Sequence, residues 1–236
     1  MIRIRRGRDR GHADHGWLRT AHTFSFADYF DPEHTRFGVL RVLNQDVVAP
    51  GGGFATHAHD NMEIVSVVLD GVLEHRDSMG NGSQIRPGEV QLMSAGRGVT
   101  HSEFNGADAP LHFLQMWVFP RDRDTEPRYE QRRFADDELG DALRLVVSPD
   151  GADGSLTIGQ DARLRYGRLG PGATVTHALP AGRAAWLHVA RGAVRVDDER
   201  LEAGDGAALE EPSSVTLAGD PSAEVVLWEL PAPSSR

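Results

Sequence analysis

The chain is predicted to be all-β, built as two successive antiparallel β-barrels of jelly-roll type. Three observations carry this. From Gly38 onwards, short apolar runs alternate with Gly, Pro, Asn and Asp turn signals at intervals of roughly 8 to 12 residues, the rhythm of a barrel or sandwich. The composition agrees, since 26 glycines and 13 prolines in 236 residues, with 39% apolar content, suit a turn-rich globular chain better than a helical bundle. Third, the second half repeats the first. Thr56-His57-Ala58-His59 answers to Thr176-His177-Ala178-Leu179, Val68-Leu69-Asp70-Gly71 to Val189-Ala190-Arg191-Gly192, and Pro87-Gly88-Glu89 to Ala203-Gly204-Asp205. The expected domains are 1–135 and 136–236, joined by a short connecting segment.

In chain order, MIRIRR alternates like an edge strand, and HTFSFADYFDPEH reads as an irregular segment packed on the barrel by Phe24, Phe26, Tyr29 and Phe30. Strands follow at GVLRVLNQDVV, at the histidine segment after APGGG, and at EIVSVVL, VLEHRDS, SQIR, EVQLMSA, VTHSEF and LHFLQMWVF. Residues 120–140 are charged and broken by proline, and are read as a linker with one short helix. Strands resume at SLTI, ARLRYGRL, AAWLHVA, AVRVDD, GAALE and AEVVLWEL, and the tail PAPSSR is expected to fray.

Composition removes several chemistries. With no cysteine there are no disulfides, thiolate sites or iron–sulfur clusters, so a metal here must be held by nitrogen and oxygen. All 25 basic residues are arginine, which removes Schiff-base lysines and a phosphate-loop lysine. A formal charge of -10 argues against direct nucleic-acid binding. The one basic cluster, Arg3, Arg5, Arg6, Arg8 and Arg10, is read as a solvated edge strand, with contact to an anion as its alternative. No apolar run approaches the roughly 20 residues of a membrane span, and the expectation is a soluble, cytoplasmic protein with no membrane role.

The chemistry concentrates in GGGFATHAHDNMEIVSVVLDG. His57 and His59 stand two apart in a segment without helical spacing, so on a strand both imidazoles leave the same face, about 7 Å apart at the backbone. His101 and Glu103 repeat that spacing on a second strand. Three imidazoles and a carboxylate suit one divalent first-row metal. The second copy would set Leu217 against His101 and Gly219 against Glu103, leaving His177 alone, so the second barrel is expected to lack metal ligands. His75 and His112 have no spacing that links them to the site, and His188 lies between apolar residues; all are read as structural or surface groups.

These residues carry a resemblance. Gly51 to His59, with Glu63 and Gly71 following, looks like the first cupin motif, and Gly98-x2-His101-x3-Asn105 like the second. More narrowly, THAHDNMEIVSVVLDG, EHRDSMGN, PGEVQLMSAGRGVTHSEFN and RYEQRRF resemble the pirin family of bicupins across nearly the whole chain. The resemblance implies two stacked β-barrels with one metal in the first, bound at His57, His59, His101 and Glu103. It also implies quercetin 2,3-dioxygenase activity in some members and redox-responsive regulation of a protein partner in others. Gly96 departs from the general cupin pattern, which has proline there, and Glu63 is read as a packing group.

Four ligands leave one or two positions open on an ion that takes five or six, as a reactive centre requires. Iron(II) is the first choice for dioxygen chemistry, with manganese, nickel, cobalt, copper or zinc as alternatives. If the substrates are a flavonol and O2, Glu103 is the nearest base for the 3-hydroxyl proton, and 2,3-ring cleavage would release carbon monoxide. Phe54, Met62, Met93, Phe104, Met116 and Trp117 are expected to make the cavity apolar. The competing reading is a metal-holding, redox-responsive regulatory protein that binds a protein partner without turnover.

Overall fold

A computed structural model describes residues 2–210 and 214–232, so residues 233–236 of the expected frayed tail lie outside the described residues. Among these, three sheets form. The smallest runs in the order Gly53–His59, Val99–Phe104, Leu73–Asp77, Gly82–Ile85. A second runs Arg128–Arg133, Glu89–Ser94, Glu63–Asp70, Leu111–Val118, Leu40–Val48, Leu18–His22, Gly11–Asp14. The two sheets face each other, since Leu73 and Ile85 of one pack with Val48, Val68, Leu111 and Phe113 of the other.

The third sheet belongs to the second half of the chain, with one exception. Ile2–Arg5 pairs antiparallel with Gly206–Glu210, so the first strand of the sequence lies on the sheet edge of the later half. Beyond it come Arg183–Val196, Ser214–Pro231, Arg163–Leu169, Arg144–Ser148 and Leu156–Thr157. Two apparent strands, AAWLHVA and AVRVDD, are one continuous strand, because register shifts around Val189/Arg191 and Gly192/Val194 absorb the turn expected at Arg191-Gly192.

The middle sheet explains why EIVSVVL reads as an apolar run without alternation. Its strand Glu63–Asp70 is buried on both faces up to its last residue. Val65, Val67 and Leu69 join the core shared with Trp186 and Trp228 of the second half, whereas Ile64 and Val68 face the interior of the first half. Across that shared core the indole N–H of the fully buried Trp228 points at Met116 Sδ, 3.1 Å away.

The segment 120–140 is more structured than its charge suggests. It holds the expected short helix, Asp136–Leu139, but also the strand Arg128–Arg133, paired antiparallel with Glu89–Ser94. That strand hides from pattern reading because its inward residues are polar. Tyr129 stacks on His75 with ring centroids 4.9 Å apart, and Gln131 Nε2 donates to the Gln84 carbonyl at 3.0 Å. In the amino-terminal segment Phe24 is buried against Trp186, but Phe30 is 74% exposed and packs nothing down.

The repeat holds in register with one adjustment. His57 lies opposite His101, and its counterpart His177 lies opposite Val215, with Leu217 opposite Val175. The alignment carried forward by eye is therefore two residues off, because Asp205 and Val215 stand two residues closer in sequence than their counterparts Glu89 and His101. Both Val215 and Leu217 are buried and apolar, so no ligand pair forms there.

His177 instead donates to buried Glu229 at 2.9 Å, and Arg163 and Arg183 reach the same carboxylate at 3.4 and 3.6 Å. Burial pushes the Glu229 carboxyl up, but the bond from His177 and the two arginine charges outweigh it and hold it below its usual range. The stability this supplies is present above the unfolded-state carboxylate pKa and is lost as pH falls through the lower folded-state value. Glu229→Gln, which strands the two arginines and removes the acceptor of His177, is expected to cost about 3 kcal/mol in urea unfolding and to flatten the acid limb of the stability profile.

Candidate metal centre

Antiparallel pairing of Gly53–His59 with Val99–Phe104 puts the two histidine-bearing segments side by side, His57 directly across from His101. A bulge between His101 and Glu103 shifts the register, so that Glu103 faces Phe54. The turn into this second strand rests on Gly96, at φ +47°, where a Cβ would stand 2.1 Å from the Thr125 carbonyl oxygen. Proline, locked near φ -65°, has no access to that conformation, which accounts for the departure from the general cupin pattern.

His57, His59 and His101 converge, each offering a ring nitrogen within 4.8 Å of the others. His57 Nδ1–H donates to the Ala55 carbonyl at 2.8 Å, which fixes the tautomer and leaves Nε2 with a free lone pair. That Nε2 stands 3.0 Å from His101 Nε2, a separation that suits two nitrogens each roughly 2.0–2.1 Å from one ion. Burial, then the neighbouring imidazoles, lower the pKa of His59 to about 4 and of His101 to about 3. Both rings are thus neutral, the form that ligates.

Glu103 is fully enclosed, and burial raises its pKa to about 7. Gln115 Nε2 donates to its Oε2 at 2.7 Å, while Oε1 has no partner. Trp117 Nε1–H donates in turn to Gln115 Oε1 at 3.2 Å, which decides which end of the amide faces the carboxylate. Two buried atoms beside the imidazole cluster, Glu103 Oε1 and His101 Nδ1, therefore lack partners within the protein. Three converging imidazoles, a carboxylate with an oxygen to spare and a short nitrogen–nitrogen approach fit a divalent cation.

His75 is closer to this cluster than its sequence position suggests. It is fully buried, 5.3 Å from the His101 ring, and forms a second possible ligand group with His101 and Glu103. Both of its nitrogens are already engaged, however. Nε2 donates to Asp77 Oδ2 at 3.1 Å, and Nδ1 faces the Gln91 amide at 3.1 Å. His75 and Asp77 lie across from Glu103 and His101 respectively. Their H-x-D spacing, equal to that of the two ligand pairs, is the signal that would have found them.

Beside the cluster opens a cavity of about 520 Å³ bordered by His57, His59 and Glu103. Of the six apolar residues expected to line it, Phe54 and Trp117 do. Strand parity removes Phe104 and Met116, which alternate with Glu103 and with Gln115 and Trp117. Phe104 points outward at 39% exposure, and Met116 joins the core shared with the second half. Met93 and Met62 sit behind the wall in a cluster with Ile64 and Val99. The remaining lining was missed, and much of it comes from the amino-terminal segment. Trp17 meets Phe54 edge-on at 5.2 Å, and Phe26 meets Trp117 edge-on at 5.3 Å. His22, bonded to Asn44 at 2.9 Å, and buried Asp46, whose pKa burial raises to about 6, add polar groups. Asn44 and Asp46, two apart within an apolar run, were the available clue. Glu63 is remote from the cluster and accepts from Ser94 and from the Gly159 amide at 2.7 and 3.1 Å, tying the two halves together.

Comparison with known proteins agrees with this architecture. Residues 3–118 match the Pirin family and residues 145–230 the quercetinase C-terminal cupin domain. A quercetin 2,3-dioxygenase from Escherichia coli (strain K12) is 44% identical over 232 residues, covering 98% of this chain and 99% of its own. A pirin-like protein from Caulobacter vibrioides is 40% identical over 219 residues, 92% of this chain and 94% of its own. The crystal structure of YhhW from Escherichia coli superposes with a TM-score of 0.94 at 43% identity, covering 100% of both chains. The bacterial pirin YhhW in complex with nickel(II) gives 0.93 at 43%, covering 98% of this chain and 100% of its own. The fold is an all-β bicupin, and the chain belongs to the pirin family.

Proposed function

We propose that this protein is a dioxygenase that opens quercetin or a related flavonol with O2 by 2,3-cleavage, releasing carbon monoxide, at a metal held by His57, His59, His101 and Glu103. The observation that carries the reading is the junction of that ligand set with an aromatic-walled cavity of about 520 Å³, a size suited to one planar small molecule. Iron(II) is the proposed native ion. The relative crystallised with nickel(II) supports a first-row metal at such a site.

A metal held by His57, His59, His101 and Glu103 would supply Lewis acidity toward an enolate oxygen and redox capacity toward O2. The chain's own residues do the rest. Trp17, Phe26, Phe54 and Trp117 hold an aromatic ring system edge and face and keep water from it. Glu103 accepts the proton of the 3-hydroxyl on its unpartnered Oε1, since burial already favours its protonated form. Gln115 is a positioning residue, keeping Oε2 engaged so that Oε1 faces the cavity.

The direct test is oxygen uptake by the metal-loaded protein in the presence of quercetin, with carbon monoxide measured as co-product. Stoichiometric uptake is expected, and silence with every first-row divalent ion tried would overturn the assignment. A finer test uses Gln115→Leu. Loss of the N–H donor raises the Glu103 pKa, so the rising limb of the kcat profile should move to higher pH, with turnover at neutral pH down about 10–100-fold and metal content retained.

A further inference from the structure

The two halves of the chain meet around a second polar site that the proposed reaction does not use. A cavity of about 730 Å³ lies between the amino-terminal segment and the 200–205 hairpin, and its charged lining is Arg6, Arg8, Arg10, Arg200, Glu202 and Asp205. Both carboxylates are committed. Asp205 accepts from Arg6 at 2.9 Å and from the Gly7 and Glu202 amides at 2.7 and 3.1 Å, while Glu202 is paired with Arg200. Arg6 and Arg200 each hold a further carboxylate, Glu199 at 3.5 Å and Asp220 at 3.1 Å.

Among the described residues Arg8 and Arg10 donate no hydrogen bond to a carboxylate. Arg8 is exposed, and among the described residues its carboxylate neighbour is the adjacent Asp9 at 3.8 Å. Arg10 is 6% exposed, so its guanidinium is a buried cation. It gives Nη1 to Gln45 Oε1 at 3.3 Å and Nη2 to the Ala21 carbonyl at 2.5 Å, both neutral acceptors, and its Nε–H has none. The buried Asp46 carboxyl opposes the Arg10 charge electrostatically but shares no hydrogen bond with it among the described residues. A buried guanidinium with an unmade N–H bond on a cavity wall remains costly until a further acceptor completes it, and arginine forks match tetrahedral oxyanions.

We infer that this junction binds a small dianionic oxyanion, a phosphoryl group free or carried on a small metabolite, between Arg8 and Arg10. Its walls come from residues 6–45 on one side and 200–205 on the other, so the bound anion fastens the amino-terminal segment to the second half of the molecule.

The experiment is a titration of the full-length, metal-free protein with inorganic phosphate, against chloride at matched ionic strength, read by calorimetry and by the thermal midpoint. Saturable binding and a raised midpoint are expected with phosphate alone. Because Arg10→Met removes a buried group and can fail to fold, the deciding variant is the exposed Arg8→Gln. It should bind phosphate about tenfold more weakly while quercetin turnover of its metal-loaded form is unchanged. A parallel arm with glycerol phosphate distinguishes the sources, tighter binding than phosphate identifying an esterified ligand and equal or weaker binding the free ion. Equal phosphate affinity in wild type and Arg8→Gln, an effect reproduced by chloride, or loss of the response in His57→Ala would each overturn the proposal, the last by moving the anion to the metal centre.

Discussion

Replacing His101 with alanine is expected to remove the metal and the turnover of quercetin together while the protein stays folded. His101 is central to the cluster. Its Nε2 stands 3.0 Å from that of His57, and it is the member shared by both groups of potential ligands. Loss of an outer partner of a metal ligand already costs roughly 10–100-fold in affinity or activity, and loss of a ligand itself should exceed that. Stability should change little between the metal-free forms, because the ring is held by tilted and edge-on contacts with His57 and His59 and leaves Nδ1 unbonded. Metal analysis, circular dichroism and oxygen uptake on one preparation check all three statements. A variant that keeps full activity with the imidazole gone would remove His101 from the site.

Glu103→Gln should lower kcat by about 10²–10⁴-fold, the range for loss of a positioned general base, with a smaller change in KM. The substitution preserves volume in a fully enclosed position, so a packing explanation is separable from a chemical one. Metal content must be measured alongside, since an amide oxygen is a weaker ligand than a carboxylate. If the metal is retained and turnover is unaffected, Glu103 is neither base nor necessary ligand, and another group must take the 3-hydroxyl proton.

Most of the strand order was legible because turn residues and period-two patterning are local properties. The eight first-half strands from GVLRVLNQDVV to LHFLQMWVF appear where those signals placed them. What escaped was set by contacts distant in sequence. Arg128–Arg133 forms a strand because Glu89–Ser94 offers it a free edge, with no apolar alternation to announce it. Arg5 and Arg10, read as part of a solvated edge, are each 6% exposed, because the first strand crosses to the sheet of the other half and carries the following residues into the junction.

The sequence by itself determined an all-β duplicated chain and the pairing of H-x-H with H-x-E on strands, since alternation alone puts those side chains on shared faces. Only the tertiary structure decided what surrounds them. Thr20, His22 and Phe26 come from a segment far upstream, His75 is recruited through its partner strand and then silenced by Asp77 and Gln91, and Met116 is turned away by parity. Spacing along a strand is a short-range constraint of backbone geometry. The wall of a cavity is a sum of contacts between elements, set by how two sheets and a crossing segment pack, and no local pattern encodes it.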